Sequence, residues 1–418
     1  MSWRELYRSL KSKIRVRARN VLDLTSEQRE FFITASEGLR EAFIRDKVPE
    51  QELREAEEWI GEFKRLVSSL RDDGVLRDVV LTRELRSFVE DPRAHLRKKL
   101  FNYTFELLTG VRGLLSYERT CEAALITSLR TNMRTLYQTW VFLALLKHLT
   151  SGGGRIVYPQ HGFLSVERSG MQRLGMIPPN CIVETLRGFV SLFVEVPRPI
   201  CWEDGGDLSR VWKLYTALRP DFMAYGGPVM DIVDLESSPP IKRPNVVVEV
   251  KELEDWPTRV RELRGRLSEP ISAEDWRFLW IKGLVEGLGR TIGAEGMRVR
   301  VGRKTYSMRV GEPELLRVYW TIYRPDEMLL ISRARVPQEV RSELEGFCQV
   351  YDGAGFDEEK LRDAAEVVGK YASGEGVDTL TAVARELGLR RFDRRELRKR
   401  LLELVRRHRK ELVEALGG

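Results

Sequence analysis

The chain is poor in the residues that build metal cages and covalent staples. Its four cysteines (Cys121, Cys181, Cys201, Cys348) lie far apart, with no C-x-x-C pair. That argues against a disulfide framework and against a cysteine-held zinc or iron–sulfur site. The four histidines (His95, His148, His161, His408) show no ligand spacing. Long apolar runs are missing too. The longest, Trp140–Leu146, falls far short of the roughly 20 residues that cross a bilayer. No apolar stretch follows the basic N-terminal segment as it would in a secretory signal, so a cytoplasmic protein with no membrane association is the expectation. A G-x-x-x-x-G-K-[ST] loop is absent, and with it the signature of an ATPase or GTPase. Asparagine and glutamine together number only twelve. Few thermolabile amides beside many charges point towards a thermophile, although the arginine excess, 54 of 70 basic residues, is also what base composition produces.

What is present is a large apolar reserve and an uneven charge. At 418 residues and 42% hydrophobic, the chain can bury a sizeable core and is expected to form two or three domains. The net charge of +7 is not uniform. Residues 1–20 carry seven basic side chains and one acid, and residues 390–418 carry eleven basic and five acidic. Each end is therefore +6, which leaves −5 for residues 21–389.

Helical spacing dominates the first part of the chain. Segments 26–46, 50–70, 78–90 and 93–109 repeat apolar residues every three or four positions. A longer helix runs from about Tyr117 to Leu149 and stops at Ser151-Gly152-Gly153-Gly154. Period-two and β-branched segments follow, at Arg155–Tyr158, Phe163–Glu167, Phe189–Val196, Asp221–Tyr225, Asn245–Glu252, Leu315–Tyr323, Met328–Val336 and Phe347–Tyr351. Arg298–Val301 and Tyr306–Val310 suggest a hairpin. Helices are expected at Val211–Leu218, at 273–289, after Pro337 and at Glu358–Tyr371. This alternation indicates an α/β or α+β core. The organisation is read as a helical N-terminal domain or arm (1–115), a core (116–372) and a small basic helical C-terminal segment (373–418) opening on Ser373-Gly374-Glu375-Gly376.

The segment that carries chemistry is Arg219-Pro220-Asp221-Phe222-Met223-Ala224-Tyr225, followed by Asn245-Val246-Val247-Val248-Glu249-Val250-Lys251. Side chains alternate faces along a strand, so Glu249 and Lys251 share a face while Val248 and Val250 pack on the other. Asp221, opening the preceding strand, can sit beside them. Two close carboxylates repel each other without a cation. A hard divalent ion relieves that repulsion and keeps positions open for water and phosphate oxygen. Asp221 and Glu249 are thus candidate metal ligands, with Mg²⁺ or Mn²⁺ as cofactor. Lys251 is the group that would orient water or stabilise charge developing on phosphate. An alternative first acid is Asp231, should Val229–Leu235 be the strand that pairs with 245–252.

This arrangement resembles the PD-(D/E)XK nuclease superfamily, with Pro220-Asp221 as its first motif and Glu249-Val250-Lys251 as its second. The resemblance covers about 117–300. It implies a restriction-endonuclease-like mixed sheet flanked by helices, and a metal-dependent hydrolase, mostly a DNA endonuclease or exonuclease. Tyr137-Gln138-Thr139-Trp140 lies where some members show Tyr-Glu-x-Trp. Gln138 replaces that acid and is a poorer cation ligand, and Glu195 is a substitute. Glu-x-Lys alone is a weak signal, since Glu62-Phe63-Lys64 and Glu358-Glu359-Lys360 repeat it in helical segments.

DNA is the expected partner, in genome defence or repair. Lys282 on the helix 273–289 is a candidate phosphate contact. So are Arg394, Arg395, Arg398 and Lys399, near the start of the second of two C-terminal helices spaced like a helix-turn-helix (Thr379–Leu387 and Asp393–Leu416). A plain helical hairpin with a solvated basic face accounts for the latter equally well. Two other classes stay open. One is a nucleic-acid-binding or scaffold protein that has lost its chemistry, which Gln138 favours. The other is a nuclease subunit that acts as a homodimer or with a motor or specificity protein.

Overall fold

The computed structural model describes residues 2–13, 25–167, 177–196, 219–232, 242–266 and 305–374. The chain divides into two units, Met1–Ser373 and Gly374–Gly418. The second lies outside the described residues beyond Gly374, and with it the expected helix-turn-helix. The expected helices at 211–218 and 273–289 also lie outside them.

Helices α1 (Trp3–Lys13), α2 (Ser26–Lys47) and α3 (Glu50–Asp72) open the fold. In α3 the buried residues Leu53, Ala56, Trp59, Ile60, Phe63, Leu66 and Leu70 recur at three- and four-residue steps, which puts them on one face. Segment 78–90, expected as one helix, is instead a short strand β1 (Asp78–Val80) and a helix α4 (Arg83–Glu90). Thr82 divides them, because its Oγ1 accepts the Leu85 N–H at 3.3 Å and so starts the helix there. Segment 93–109 similarly splits into α5 (Pro92–Lys99) and α6 (Phe101–Leu108), and the Asp91 carboxylate caps α5. Helix α7 (Leu114–Thr150) spans 37 residues.

The strands that follow are β2 (Arg155–Tyr158), β3 (Phe163–Ser165), β4 (Cys181–Thr185), β5 (Gly188–Val194), β6 (Phe222–Gly226), β7 (Val246–Lys251), β8 (Val260–Arg266), β9 (Thr305–Gly311), β10 (Glu327–Ser332) and β11 (Gln349–Tyr351). Helix α8 (Glu312–Tyr323) lies between β9 and β10. Seven strands form one mixed sheet in the order β11-β10-β7-β6-β5-β4-β2. β10 and β11 run parallel to β7, while β6, β5, β4 and β2 pair antiparallel in succession. The chain is therefore of mixed α/β class. Among the described residues no helix is long and apolar enough to cross a membrane.

Side-chain alternation gives the sheet two apolar faces, as expected when both are covered. Val190, Leu192, Phe222, Ala224, Val248 and Val250 join α7 and the N-terminal helices in one core. Phe193, Met223, Tyr225, Val247 and Leu330 join Leu315, Leu316, Tyr319 and Tyr323 of α8 in another. Each fully buried valine, leucine, phenylalanine or methionine among them contributes about 1.5–3 kcal/mol.

One expectation is corrected here. Leu315–Tyr323, read as a strand from its aromatic and β-branched content, is the body of α8. Pro313 sits in the first turn, where its fixed φ and missing N–H cost nothing. Leu315, Leu316, Tyr319 and Tyr323 then fall on one helical face. Strand β9 (Thr305–Gly311) pairs with β8; residues 298–301, its expected hairpin partner, lie outside the described residues.

The junction of α7 with the sheet runs through Gly154. A Cβ there would stand 2.7 Å from the Leu149 carbonyl and 2.8 Å from that of Glu184. Gly154→Ala is expected to cost about 1–3 kcal/mol through this clash with immovable backbone. Thermal unfolding checks it, and an unchanged melting temperature would show that the helix does not press on β4.

Candidate active site

Strands β6 and β7 bring the two sequence motifs together. The pair Phe222↔Val248 fixes the register, so one step further Asp221 comes opposite Glu249. The Val250 N–H donates to Asp221 Oδ2 at 2.7 Å, which ties the carboxylate to β7 just beyond the end of β6. On the other side Gln138 Nε2, from the middle of α7, donates to Asp221 Oδ1 at 2.6 Å. Asp221 thus links the α7 layer to the strand that carries the second motif.

Glu249 and Lys251 share the face opposite Val248 and Val250. Lys251 Nζ lies 2.7 Å from Glu249 Oε1 and 2.5 Å from Glu312 Oε2. Glu312 stands in the first turn of α8, whose position is held by the Glu312 N–H on the Arg259 carbonyl at 3.1 Å. All four charged groups are buried: relative exposure is 7% for Asp221, 2% for Glu249, 5% for Lys251 and 7% for Glu312. Glu249 Oε2 is buried without a hydrogen-bond partner among the described residues. Burial raises the Asp221 carboxyl well above the usual carboxylate range, and the nearby charge of Glu249 adds to the rise. The Lys251 ammonium and the Val250 N–H oppose it.

Glu195 follows β5 in a left-handed conformation, φ 45°, and its N–H donates to the Asp221 carbonyl at 2.9 Å. Its Oε2 lies 3.9 Å from Arg219 Nη1. A cavity of about 910 Å³ adjoins this corner, with Gln138, Glu195 and Asp221 in its wall. Glu195 is therefore near the first-motif acid and on the α7 side of the sheet.

Asp231 is elsewhere. Its Oδ1 accepts the Ile177 N–H at 3.0 Å, and residues 229–232 form no strand. The glutamates of the two other Glu-x-Lys tripeptides are engaged elsewhere, Glu62 with Arg65 at the surface and Glu358 with Lys147 in a half-buried pair. Lys282, Arg394, Arg395, Arg398 and Lys399 lie outside the described residues. Glu312 is the site residue that sequence reasoning missed. Read as the first turn of a helix, Gly311-Glu312-Pro313 would have exposed it, because acids favour that position.

For a metal, the available donors are the carboxylates of Asp221 and Glu249 and the amide oxygen of Gln138. Among the described residues no group of three or more His, Cys, Asp or Glu side chains is arranged to hold an ion. The set still fits Mg²⁺ in kind. That ion takes oxygen donors and is commonly held by one or two carboxylates, with waters and substrate phosphate completing its shell. The orphaned Glu249 Oε2 is an acceptor such an ion would satisfy. Comparison with family models, with curated proteins and with solved structures gives no match for this chain.

Proposed function

We propose that the chain is a divalent-metal-dependent nuclease that hydrolyses DNA phosphodiester bonds, with Asp221 and Glu249 as metal ligands and Lys251 as their cationic partner. One observation carries the reading: Lys251 is paired with Glu249 on β7, and Asp221, held by the Val250 N–H at the start of the adjoining strand, interacts electrostatically with both. The restriction-endonuclease-like assignment rests on the same placement, with helices on both faces of that sheet.

Bound by the two carboxylates, Mg²⁺ or Mn²⁺ would polarise the phosphate and acidify water. The protein's own groups have separable tasks. Gln138 and the Val250 N–H fix the Asp221 carboxylate. Glu312 keeps hold of the Lys251 ammonium when Glu249 turns to another partner. The ammonium is then positioned in a low-dielectric setting to stabilise charge growing on phosphate. The +6 ends would add sequence-independent phosphate contacts.

A second reading, a nucleic-acid-binding protein without catalysis, is favoured by one contact. The Gln138 amide rather than an acid faces Asp221, which leaves the cation one charge fewer. The test is cleavage of plasmid and linear DNA in Mg²⁺ and in Mn²⁺, beside Glu249→Ala. Metal-dependent cleavage lost in the variant is expected. Cleavage undiminished in Glu249→Ala overturns the site, and DNA binding without cleavage by any form favours the second reading.

A further inference from the structure

The cavity beside Asp221 has a chemistry that selects its occupant. Its volume, about 910 Å³, is in the range of pockets that take small organic groups, roughly 300–1,000 Å³. One wall is a single face of α7, where Thr127, Thr131, Thr135, Gln138 and Phe142 recur at three- and four-residue steps. Thr135 Oγ1 donates to the Thr131 carbonyl at 2.9 Å and Thr139 Oγ1 to the Thr135 carbonyl at 2.7 Å. These hydroxyls have committed their single proton to the helix backbone and keep only acceptor capacity.

The remaining walls reinforce that bias. Glu84, Glu167, Glu195 and Asp221 line them, and among the described residues Lys99 is the sole basic side chain in the lining. Lys99 is itself paired with Glu84 at 2.5 Å. The cavity is therefore rich in acceptors, although Glu195 lies 3.9 Å from Arg219 and Glu84 is matched by Lys99. A phosphate, which has only acceptors, would find few donors in it, whereas a neutral group with N–H donors would be held. Tyr103 and Phe142 add aromatic surface suited to a flat ring.

We propose that this cavity receives one unpaired nucleoside, base and sugar, of the strand to be cut, with a preference for bases that carry an exocyclic amine. The proposal rests on the nuclease reading of the adjoining cluster. A paired base has its Watson–Crick edge engaged and its faces stacked, so the strand must be single, frayed at an end, or able to turn a base out. Adenine and cytosine offer an exocyclic amine with two N–H donors to the threonine and carboxylate acceptors, where thymine offers only its ring N3–H between two carbonyls.

The experiment uses the full chain in EDTA, which prevents metal-dependent cutting. Its binding to fluorescein-labelled homopolymers of deoxyadenosine, deoxycytidine and thymidine, and to an intact duplex, is read by anisotropy. Adenosine and cytidine strands are expected to bind about three- to tenfold more tightly than thymidine strands or duplex, the worth of one hydrogen bond. Thr131 is exposed, so Thr131→Trp fills the cavity without disturbing the core and should abolish the preference. Thr135→Val, which keeps shape and removes an acceptor, should reduce it. Circular dichroism establishes that both variants are folded. Equal binding of all strands, or a preference intact in Thr131→Trp, overturns the proposal. Cleavage in Mg²⁺ on the same preparations separates the two claims. Cutting without base preference removes the cavity's role and leaves the nuclease reading, whereas preference without cutting does the reverse.

Discussion

Lys251→Ala is expected to destabilise the folded chain by about 3–5 kcal/mol, the cost of stripping the partner from a buried charge. The ammonium sits 2.7 Å from Glu249 and 2.5 Å from Glu312, and the three side chains are 6%, 3% and 10% exposed. Without it, two carboxylates remain in a water-poor space with no positive charge between them. One would have to take up a proton, and the packing of α8 on the sheet would bear the remainder. Lys251→Met separates charge from bulk, because it keeps most of the aliphatic stem. It should be nearly as damaging as alanine if charge is the cause. Glu312→Gln should be milder, since one carboxylate then still neutralises the lysine and the amide still accepts its proton. The measurement is denaturant unfolding at neutral pH. A loss below about 1 kcal/mol, the worth of an exposed pair, would mean the cluster is solvated.

That cluster was partly legible in the sequence, and the part that was not has a physical reason. A strand has a strict period of two, so Glu249 and Lys251 could be placed on one face without knowing their neighbours. Pro220-Asp221 ahead of an apolar run marked the adjacent strand, and the observed register puts Asp221 opposite Glu249. Gln138 could be singled out only by resemblance, because a contact across 83 residues leaves no periodic trace. Glu312 was hidden by a wrong period: Leu315, Tyr319 and Tyr323 favour strands as isolated residues, and only their spacing and the preceding Pro313 reveal a helix. The same competition explains 78–90, where a short strand occupies what reads as a helix because Thr82 supplies the cap. The strand Cys181–Thr185 went unmarked. It pairs with β5 across Leu186-Arg187, which contains none of the residues that usually announce a hairpin turn. The sheet order, with β7 between β6 and β10, depends on long-range pairing that no local pattern encodes.

Asp221→Asn is expected to move activity and stability in opposite directions. As a proposed metal ligand, its loss should lower cleavage by about 10²–10³-fold, the scale on which a single electrostatic contact to a developing charge acts. Stability follows from the raised carboxyl. A group whose folded pKa lies above its unfolded value, 3.8 here, binds its proton more tightly in the native state. Its contribution is fully present below the unfolded pKa and is lost as pH rises through the folded one. Wild-type stability should therefore decline over that window, while the asparagine variant, neutral throughout, should not. Above the window the variant should be the more stable protein in EDTA. The local geometry permits this: an asparagine Oδ1 can still accept the Val250 N–H, and Gln138, by turning its amide, can accept from the new Nδ2 with its own oxygen. Adding Mg²⁺ then distinguishes a ligand from a structural acid. Binding to the native state alone stabilises it by RT ln(1 + [L]/Kd), so the wild type should gain melting temperature with metal while Asp221→Asn gains less. A variant less stable than wild type at pH 8 in EDTA would show that the native fold needs the ionised carboxylate, and that the cost of its burial is already met by Lys251. Equal stabilisation of both proteins by Mg²⁺ would remove Asp221 from the metal site.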